Sequence, residues 1–294
     1  MDCQQKPSLI KQQGPCRIKL ICPAKINLYL NILGRYKSGF HKIETVVSRI
    51  SLFDELTIIV NENPGIKMMC DDKTLANENN LCVKAALLLK KEFKIKRGFS
   101  FYLKKNIPIG AGLGGGSSCG ASALIGIMRL MDINIPLERL YSLGKRLGSD
   151  VNFFLSESSF AYLWGRGEKV RPLNLCRRLN YFLVYPGQRL STKLVYKNTK
   201  VKLTNFLNNV KILLYALKRK DFALLQYSFF NVLEEGAFSA SPVLREHKSF
   251  LRNLRFKMTG SGSAFFALIK NKRHIQSLRK AFCNNWRVLE VHTM

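Results

Sequence analysis

The chain has few of the groupings that hold metals or build disulfide scaffolds. No Cys-x-x-Cys pair occurs among its eight cysteines, at positions 3, 16, 22, 70, 82, 119, 176 and 283, and the four histidines stand singly. This spacing argues against a zinc site and predicts reduced thiols. No apolar run is long enough to cross a bilayer, so no membrane partner is expected. The first sixteen residues lack the apolar segment of a secretory signal, and the expected location is cytoplasmic. Acidic residues are scarce, 19 Asp and Glu against 48 Lys and Arg. The resulting net charge of +29 would draw in polyanions, which leaves phosphorylated ligands and nucleic acid as partner classes. A solvated basic surface accounts for the same charge, because the lysines are spread along the whole chain. The densest run, Lys90, Lys91, Lys94, Lys96, Arg97, Lys104 and Lys105, has no regular aromatic interleaving.

What the chain does have is length and apolar material. With 294 residues, 47% of them hydrophobic, it is long for a single core, and two domains are expected. We place a soft boundary near Gly165, giving domains at 1–165 and 166–294, with 1–16 as a disordered tail. No internal repeat or low-complexity segment is evident.

Residues 17–33 read as two strands with a break at Pro23. Period-two alternation puts Lys25 and Asn27 on one face and Ala24, Ile26 and Leu28 on the other. Strand character resumes over 43–60 around a turn at Asp54 and Glu55, and 61–80 is polar and loop-like. Asn80 can cap a helix carrying Leu81, Ala85, Leu88 and Leu89, and 99–103 is a short strand. A helix runs from Pro136 towards Gly148. Beyond it, 160–164 and 181–185 read as strands joined by the Gly165-Arg166-Gly167 turn. Helices are expected at 205–217, 222–233 and 274–282. A strand–glycine–strand unit lies at 256–269, and 287–291 forms a last strand. The mixture is α+β.

The organising stretch is 108–122, Pro-Ile-Gly-Ala-Gly-Leu-Gly-Gly-Gly-Ser-Ser-Cys-Gly-Ala-Ser. Its glycines permit positive φ and close backbone approach, and the helix that follows would offer unpaired N–H groups and a partial positive charge to an anion. Ser117 and Ser118, at the start of that helix, are suited to capping it. A Walker loop needs Gly-Lys-Ser/Thr, and no lysine follows any of these glycines. Gly110-x-Gly112-x-x-Gly115 matches the dinucleotide pattern, with Asp132 as the ribose-binding acid. Asp132, however, comes directly after the loop helix, with no strand between to place it. A flexible linker is disfavoured because strand, loop and helix signals are contiguous. There remains a glycine–serine loop that wraps a triphosphate with backbone N–H groups and offers a serine hydroxyl to phosphate or Mg²⁺.

Residues 108–118 resemble the ATP loop of the galactokinase, homoserine kinase, mevalonate kinase and phosphomevalonate kinase superfamily. Pro23-Ala-Lys-Ile-Asn-Leu, Gly39-Phe-His, Gly148-Ser-Asp-Val and Thr259-Gly-Ser-Gly-Ser-Ala-Phe-Phe resemble, in matching order, the branch that acts on a cytidine diphosphate-linked methylerythritol. The resemblance implies an N-terminal α/β ATP domain (ribosomal protein S5 domain 2-like), a C-terminal ferredoxin-like α+β domain, and an active site in the cleft between them. It implies a non-mevalonate isoprenoid-pathway enzyme that uses ATP and Mg²⁺ to phosphorylate the 2-hydroxyl of 4-diphosphocytidyl-2-C-methyl-D-erythritol. Asp150 would take the hydroxyl proton and Lys25 would complete the catalytic pair. Pro108, Gly110, Ala111, Gly112, Leu113, Gly114, Gly115, Gly116, Ser117 and Ser118 would bind ATP. Asn27 and His41 would contact the acceptor, Phe40 and Tyr196 would stack on its cytosine, and Thr192, Gly260, Ser261 and Gly262 would close over it. Two positions depart from the family pattern: Phe40 stands where Tyr is commoner, and Asn152 where Pro is. A mevalonate- or homoserine-type kinase is the rival within the superfamily, and a basic nucleic-acid-binding protein the rival outside it.

Overall fold

The computed structural model describes residues 10–12, 16–175, 178–199, 209–282 and 286–294. The strands are β1 (Ile10–Gln12), β2 (Arg17–Arg35), β3 (His41–Asn61), β4 (Ile66–Cys70), β5 (Gly98–Lys104), β6 (Phe160–Gly165), β7 (Lys169–Pro172), β8 (Asn180–Tyr185), β9 (Phe230–Asn231), β10 (Lys257–Met258), β11 (Phe265–Leu268) and β12 (Arg287–His292). The helices are α1 (Leu81–Phe93), α2 (Gly115–Leu130), α3 (Leu137–Leu147), α4 (Val151–Leu155), α5 (Thr192–Asn198), α6 (Val210–Arg219), α7 (Phe222–Ser228), α8 (Glu234–Ala240), α9 (Pro242–Glu246), α10 (Lys248–Asn253) and α11 (Lys272–Ala281). The chain divides into two compact units, each drawn from separate stretches: Met1–Ala24, Leu52–Ile107 and Gly114–Ser158 in the first, Lys25–Ser51, Pro108–Leu113 and Ser159–Met294 in the second.

In the first unit, β1 pairs antiparallel with the start of β2, the end of β3 pairs antiparallel with β5, and β4 lies parallel to β5. Ile10–Gln12 is therefore strand, and the rest of the segment expected as a tail, apart from Cys16, lies outside the described residues. Helix α2 packs against α1 and α4. It can approach the sheet because residue 126 is glycine: a Cβ there would stand 2.6 Å from Ile58 Cδ1 and 2.8 Å from Leu20 Cδ1. Asn80 caps α1 as expected, accepting from the Cys82 N–H at 2.9 Å.

Three expectations for this stretch are corrected. Pro23 does not break β2, since the fixed φ of proline is compatible with extended backbone. Asp54 and Glu55 are not a turn. Asp54 lies in phase with Leu52, Leu56 and Ile58 on the buried face of β3, and its carboxylate is fully partnered there. The segment 61–80, expected as loop, contains the short strand β4, whose Ile66, Met68 and Cys70 are only partly buried beside β5, and a 3₁₀ turn at Lys73–Leu75.

In the second unit, the start of β3 pairs antiparallel with β6, β6 with β7, and β9 lies parallel to β2. The Gly165–Gly167 turn thus leads into β7 and not directly to the next sheet. That second sheet is antiparallel, in the order β10-β11-β8-β12. Phe182, Val184, Phe265 and Ala267 from it join Phe238, Leu244, Leu251 and Phe256 in one core. The helix expected over 222–233 ends at Ser228, and the chain extends into β9 so that Asn231 can reach backbone carbonyls elsewhere in the unit. Of the helix expected over 205–217, residues 205–208 lie outside the described residues, and α6 begins at Val210. Among the described residues Cys16, Cys22, Cys70, Cys82 and Cys119 are free thiols, while Cys3, Cys176 and Cys283 lie outside them.

Candidate functional site

In the second unit, Lys25 and Asn27 point the same way from β2, as alternation predicts, but into a packed interior. Lys25 is 4% exposed. Its ammonium donates to Asn27 Oδ1 at 2.5 Å and to the Gly112 carbonyl at 2.9 Å, while its own N–H donates to the Leu113 carbonyl at 2.9 Å. A buried ammonium needs such acceptors, since desolvation without them is costly. The Asn27 amide is fixed from its other side by donating to Thr45 Oγ1 at 2.9 Å, and the Asn27 N–H donates to Thr259 Oγ1 at 3.0 Å. Asn27 Oδ1 thus fixes the direction in which the Lys25 ammonium points.

The glycine loop is stitched into the same constellation. The Ala264 N–H donates to the Ala111 carbonyl at 3.1 Å and the Leu190 N–H to the Gly110 carbonyl at 3.3 Å. Buried Ala111 and Leu113 side chains anchor the loop, while Gly110 is exposed. Gly112 has φ +76°, and a Cβ on it would fall 2.1 Å from the Thr259 carbonyl oxygen, so only glycine fits. Gly260, at φ +55°, leaves room for Lys25 Nζ, which would stand 3.2 Å from a Cβ there. Asn231 Nδ2 donates to the Met258 and Gly260 carbonyls, both at 2.8 Å, and so fixes the Thr259 loop. Thr192 and Ser261, both expected at the acceptor, share a hydroxyl hydrogen bond of 2.9 Å.

His41, at the start of β3, packs against Tyr196 of α5 in a tilted arrangement, with ring centroids 4.8 Å apart and the rings inclined at 33°. Burial lowers the His41 pKa below 6.5, and Arg35 adds to the shift. Phe40 is 54% exposed, and the Arg166 guanidinium lies over its ring, 4.9 Å from the centroid.

In the first unit, α2 begins at Gly115, with Gly114 at φ +72° in the capping position and no side-chain cap. Ser117 and Ser118 were expected as caps. They lie instead inside the first turn, and the capping residue, Gly114, offers the helix end no side-chain hydrogen bond. Ser118 Oγ is buried without a hydrogen-bond partner. Asp150 opens α4 after the Gly148-Ser149 turn, but its carboxylate makes no capping hydrogen bond to that helix. Asn152 is buried in α4 with Oδ1 against Gly144, where a Cβ would fall 2.2 Å from it.

Asp54 and Lys105 stand where the chain enters the loop. Asp54 Oδ1 accepts from the Asn106 and Ile107 N–H groups at 2.8 Å each, and Lys105 Nζ donates to Oδ2. Burial raises the Asp54 pKa to about 6, with Cys119 adding to the shift and Lys105 opposing it. Sequence reasoning missed this pair, although one acid in phase with three apolar residues was the available signal.

The GHMP kinases N terminal domain family matches residues 80–158 and the GHMP kinases C terminal family residues 213–288. A 4-diphosphocytidyl-2-C-methyl-D-erythritol kinase of Desulfotalea psychrophila is 35% identical over 264 residues, covering 88% of this chain and 87% of that protein. The chain belongs to the 4-diphosphocytidyl-2-C-methyl-D-erythritol kinase family of GHMP kinases. The Chlorobaculum tepidum kinase of that name is 34% identical over 269 residues, covering 90% of this chain and 93% of its own. A crystal structure of 4-(cytidine 5'-diphospho)-2C-methyl-D-erythritol kinase superposes with a TM-score of 0.74 at 31% identity, covering 94% of this chain and 99% of that one. Homoserine kinase from Cytophaga hutchinsonii, 18% identical with a TM-score of 0.72, shares the fold over 97% of this chain and 96% of its own. Sequence alone did not single out Thr45, which holds the Asn27 amide, or Asn231, which holds the Thr259 loop. Asn231 lies in a two-residue strand that carries no periodic signal.

Proposed function

We propose that the chain transfers the γ-phosphoryl group of ATP to the 2-hydroxyl of 4-diphosphocytidyl-2-C-methyl-D-erythritol, giving ADP and the 2-phosphate. The observation that carries this reading is near-full-length similarity to kinases of that name, 35% identical in the first case. The chemistry supports it. Phosphoryl transfer depends mostly on positioning and charge neutralisation. Lys25, held by Asn27 and the Gly112 carbonyl, supplies a fixed positive charge beside the glycine loop. The uncapped N-terminus of α2 offers N–H groups to the ATP phosphates. Asp150 accepts the acceptor's hydroxyl proton, His41 and Asn27 contact the acceptor, and Phe40 and Tyr196 stack on its base.

Among the described residues no cluster of three His, Cys, Asp or Glu forms a metal cage. Mg²⁺ needs no such cage, since it is commonly held by one or two protein oxygens, substrate phosphates and water. The orphaned Ser118 hydroxyl fits that donor chemistry, and Ser117 and Ser118 would hold the ion, which would neutralise charge on the phosphates.

ADP formation with the cytidine diphosphate acceptor tests the roles. We expect Asp150→Ala to lower kcat by roughly 10²–10⁴-fold, the usual range for a general base, with the circular dichroism spectrum unchanged. Near-wild-type turnover in that variant would remove Asp150 from its role.

A further inference from the structure

The Phe40–Arg166 stack has no part in the roles assigned above. Strand register explains how it forms. Ile43 lies opposite Gly165, so Phe40 and Arg166 are diagonal neighbours just beyond the β3–β6 ladder. The turn that presents Arg166 is held firmly: Gly165 and Gly167 take φ of +79° and +107°, and Glu168 Oε2 accepts the Arg166 N–H at 2.6 Å. The same face continues as stacked Tyr162 and Trp164, with Arg171 over Tyr162. Arg166 is thus the end of an aromatic–arginine ladder, lying over the one ring in it that is more than half exposed.

A guanidinium held over a ring by its central carbon still has N–H groups to donate, and these match phosphate oxygens in a planar, forked geometry. Lys42, which the extended register puts opposite Arg166, and Arg35 and Lys37 in the adjoining stretch make the sequence around Phe40 basic. A ligand joining a planar base to a diphosphate would satisfy both groups, the base on Phe40 and the diphosphate on Arg166. Resting on the acceptor reading above, we propose that Arg166 is a specificity-determining residue that binds the diphosphate of the cytidine-linked acceptor while Phe40 stacks on its base. Position 40 then works without a ring hydroxyl, because Arg166 supplies the polar contact from above the ring.

Calorimetric titration of the full chain with cytidine 5'-diphosphate and with cytidine tests this apart from turnover. We expect the wild type to prefer the diphosphate, and Arg166→Ala to lose at least tenfold in diphosphate affinity with cytidine affinity changed less than twofold. Arg166→Lys should recover part of the preference and Arg166→Gln none. A wild type that binds neither ligand, equal loss of both ligands in Arg166→Ala, or full recovery in Arg166→Gln would overturn the proposal. Absence of ADP formation with intact diphosphate preference would instead count against the kinase reading alone.

Discussion

The Lys25 ammonium donates to the carbonyl of Gly112 at 2.9 Å, joining a buried charge on β2 to the backbone of the glycine loop 87 residues away in sequence. The position of this lysine is therefore set by the loop, and the proposed reaction gives its charge a catalytic role. We expect Lys25→Met to lower kcat by about 10²–10³-fold, the range for losing one preorganised electrostatic contact, with KM for ATP shifted far less. Steady-state kinetics with both substrates varied will test this. Loss of ATP binding together with a collapsed thermal transition would make Lys25 a structural residue.

The loop tolerates no side chain at 112. A Cβ 2.1 Å from the Thr259 oxygen, on backbone at φ +76°, combines overpacking with left-handed strain. Gly112→Ala should cost about 2–5 kcal/mol of stability, measured by urea unfolding, and should reduce kcat/KM for ATP. An active, equally stable variant would mean that the Thr259 loop moves aside freely.

The Asp54–Lys105 pair makes a prediction about stability and its pH dependence. Removing one member of a buried pair leaves an uncompensated charge, so Asp54→Ala should cost about 3–5 kcal/mol at pH 7, and adding Lys105→Met should recover part of it. The Asp54 pKa is raised, from about 3.9 in the unfolded chain to about 6 in the fold. The folded state therefore holds the proton more tightly between about pH 4 and 6, and the Asp54 contribution to stability falls as pH rises through that window. Unfolding of wild type and Asp54→Asn at several pH values should show this slope in the wild type and its loss in the variant. Parallel pH profiles would contradict it.

His41 is neutral above its lowered pKa, where one ring nitrogen can accept a hydrogen bond from the acceptor. The acid limb of kcat/KM for the acceptor should lie below pH 6.5, and His41→Gln should remove it while leaving the profile for ATP unchanged. An identical acid limb in the variant would assign it to another group.

Much of this was legible in the sequence because local physics fixed it. Alternation put Lys25 and Asn27 on one face, Asn80 marked the start of α1, and the run of glycines and serines marked the loop that leads into α2. What could not be read locally was settled by distant partners. Asp54 looked like a turn because its acceptor geometry is filled by residues 105–107, some fifty positions on. Asn231 looked helical because the carbonyls that draw it into an extended segment belong to residues 258 and 260. Ser117 and Ser118 looked like caps, but Gly114 takes that position and leaves the helix end open.

The central claim is the identity of the acceptor, and a substrate panel with ATP tests it most directly. ADP release should be measured with 4-diphosphocytidyl-2-C-methyl-D-erythritol, mevalonate and homoserine side by side. The account predicts turnover with the cytidine diphosphate alcohol, with phosphate on its 2-hydroxyl, and none above background with the other two. Phosphorylation of mevalonate or homoserine with no turnover of the cytidine diphosphate alcohol would contradict it.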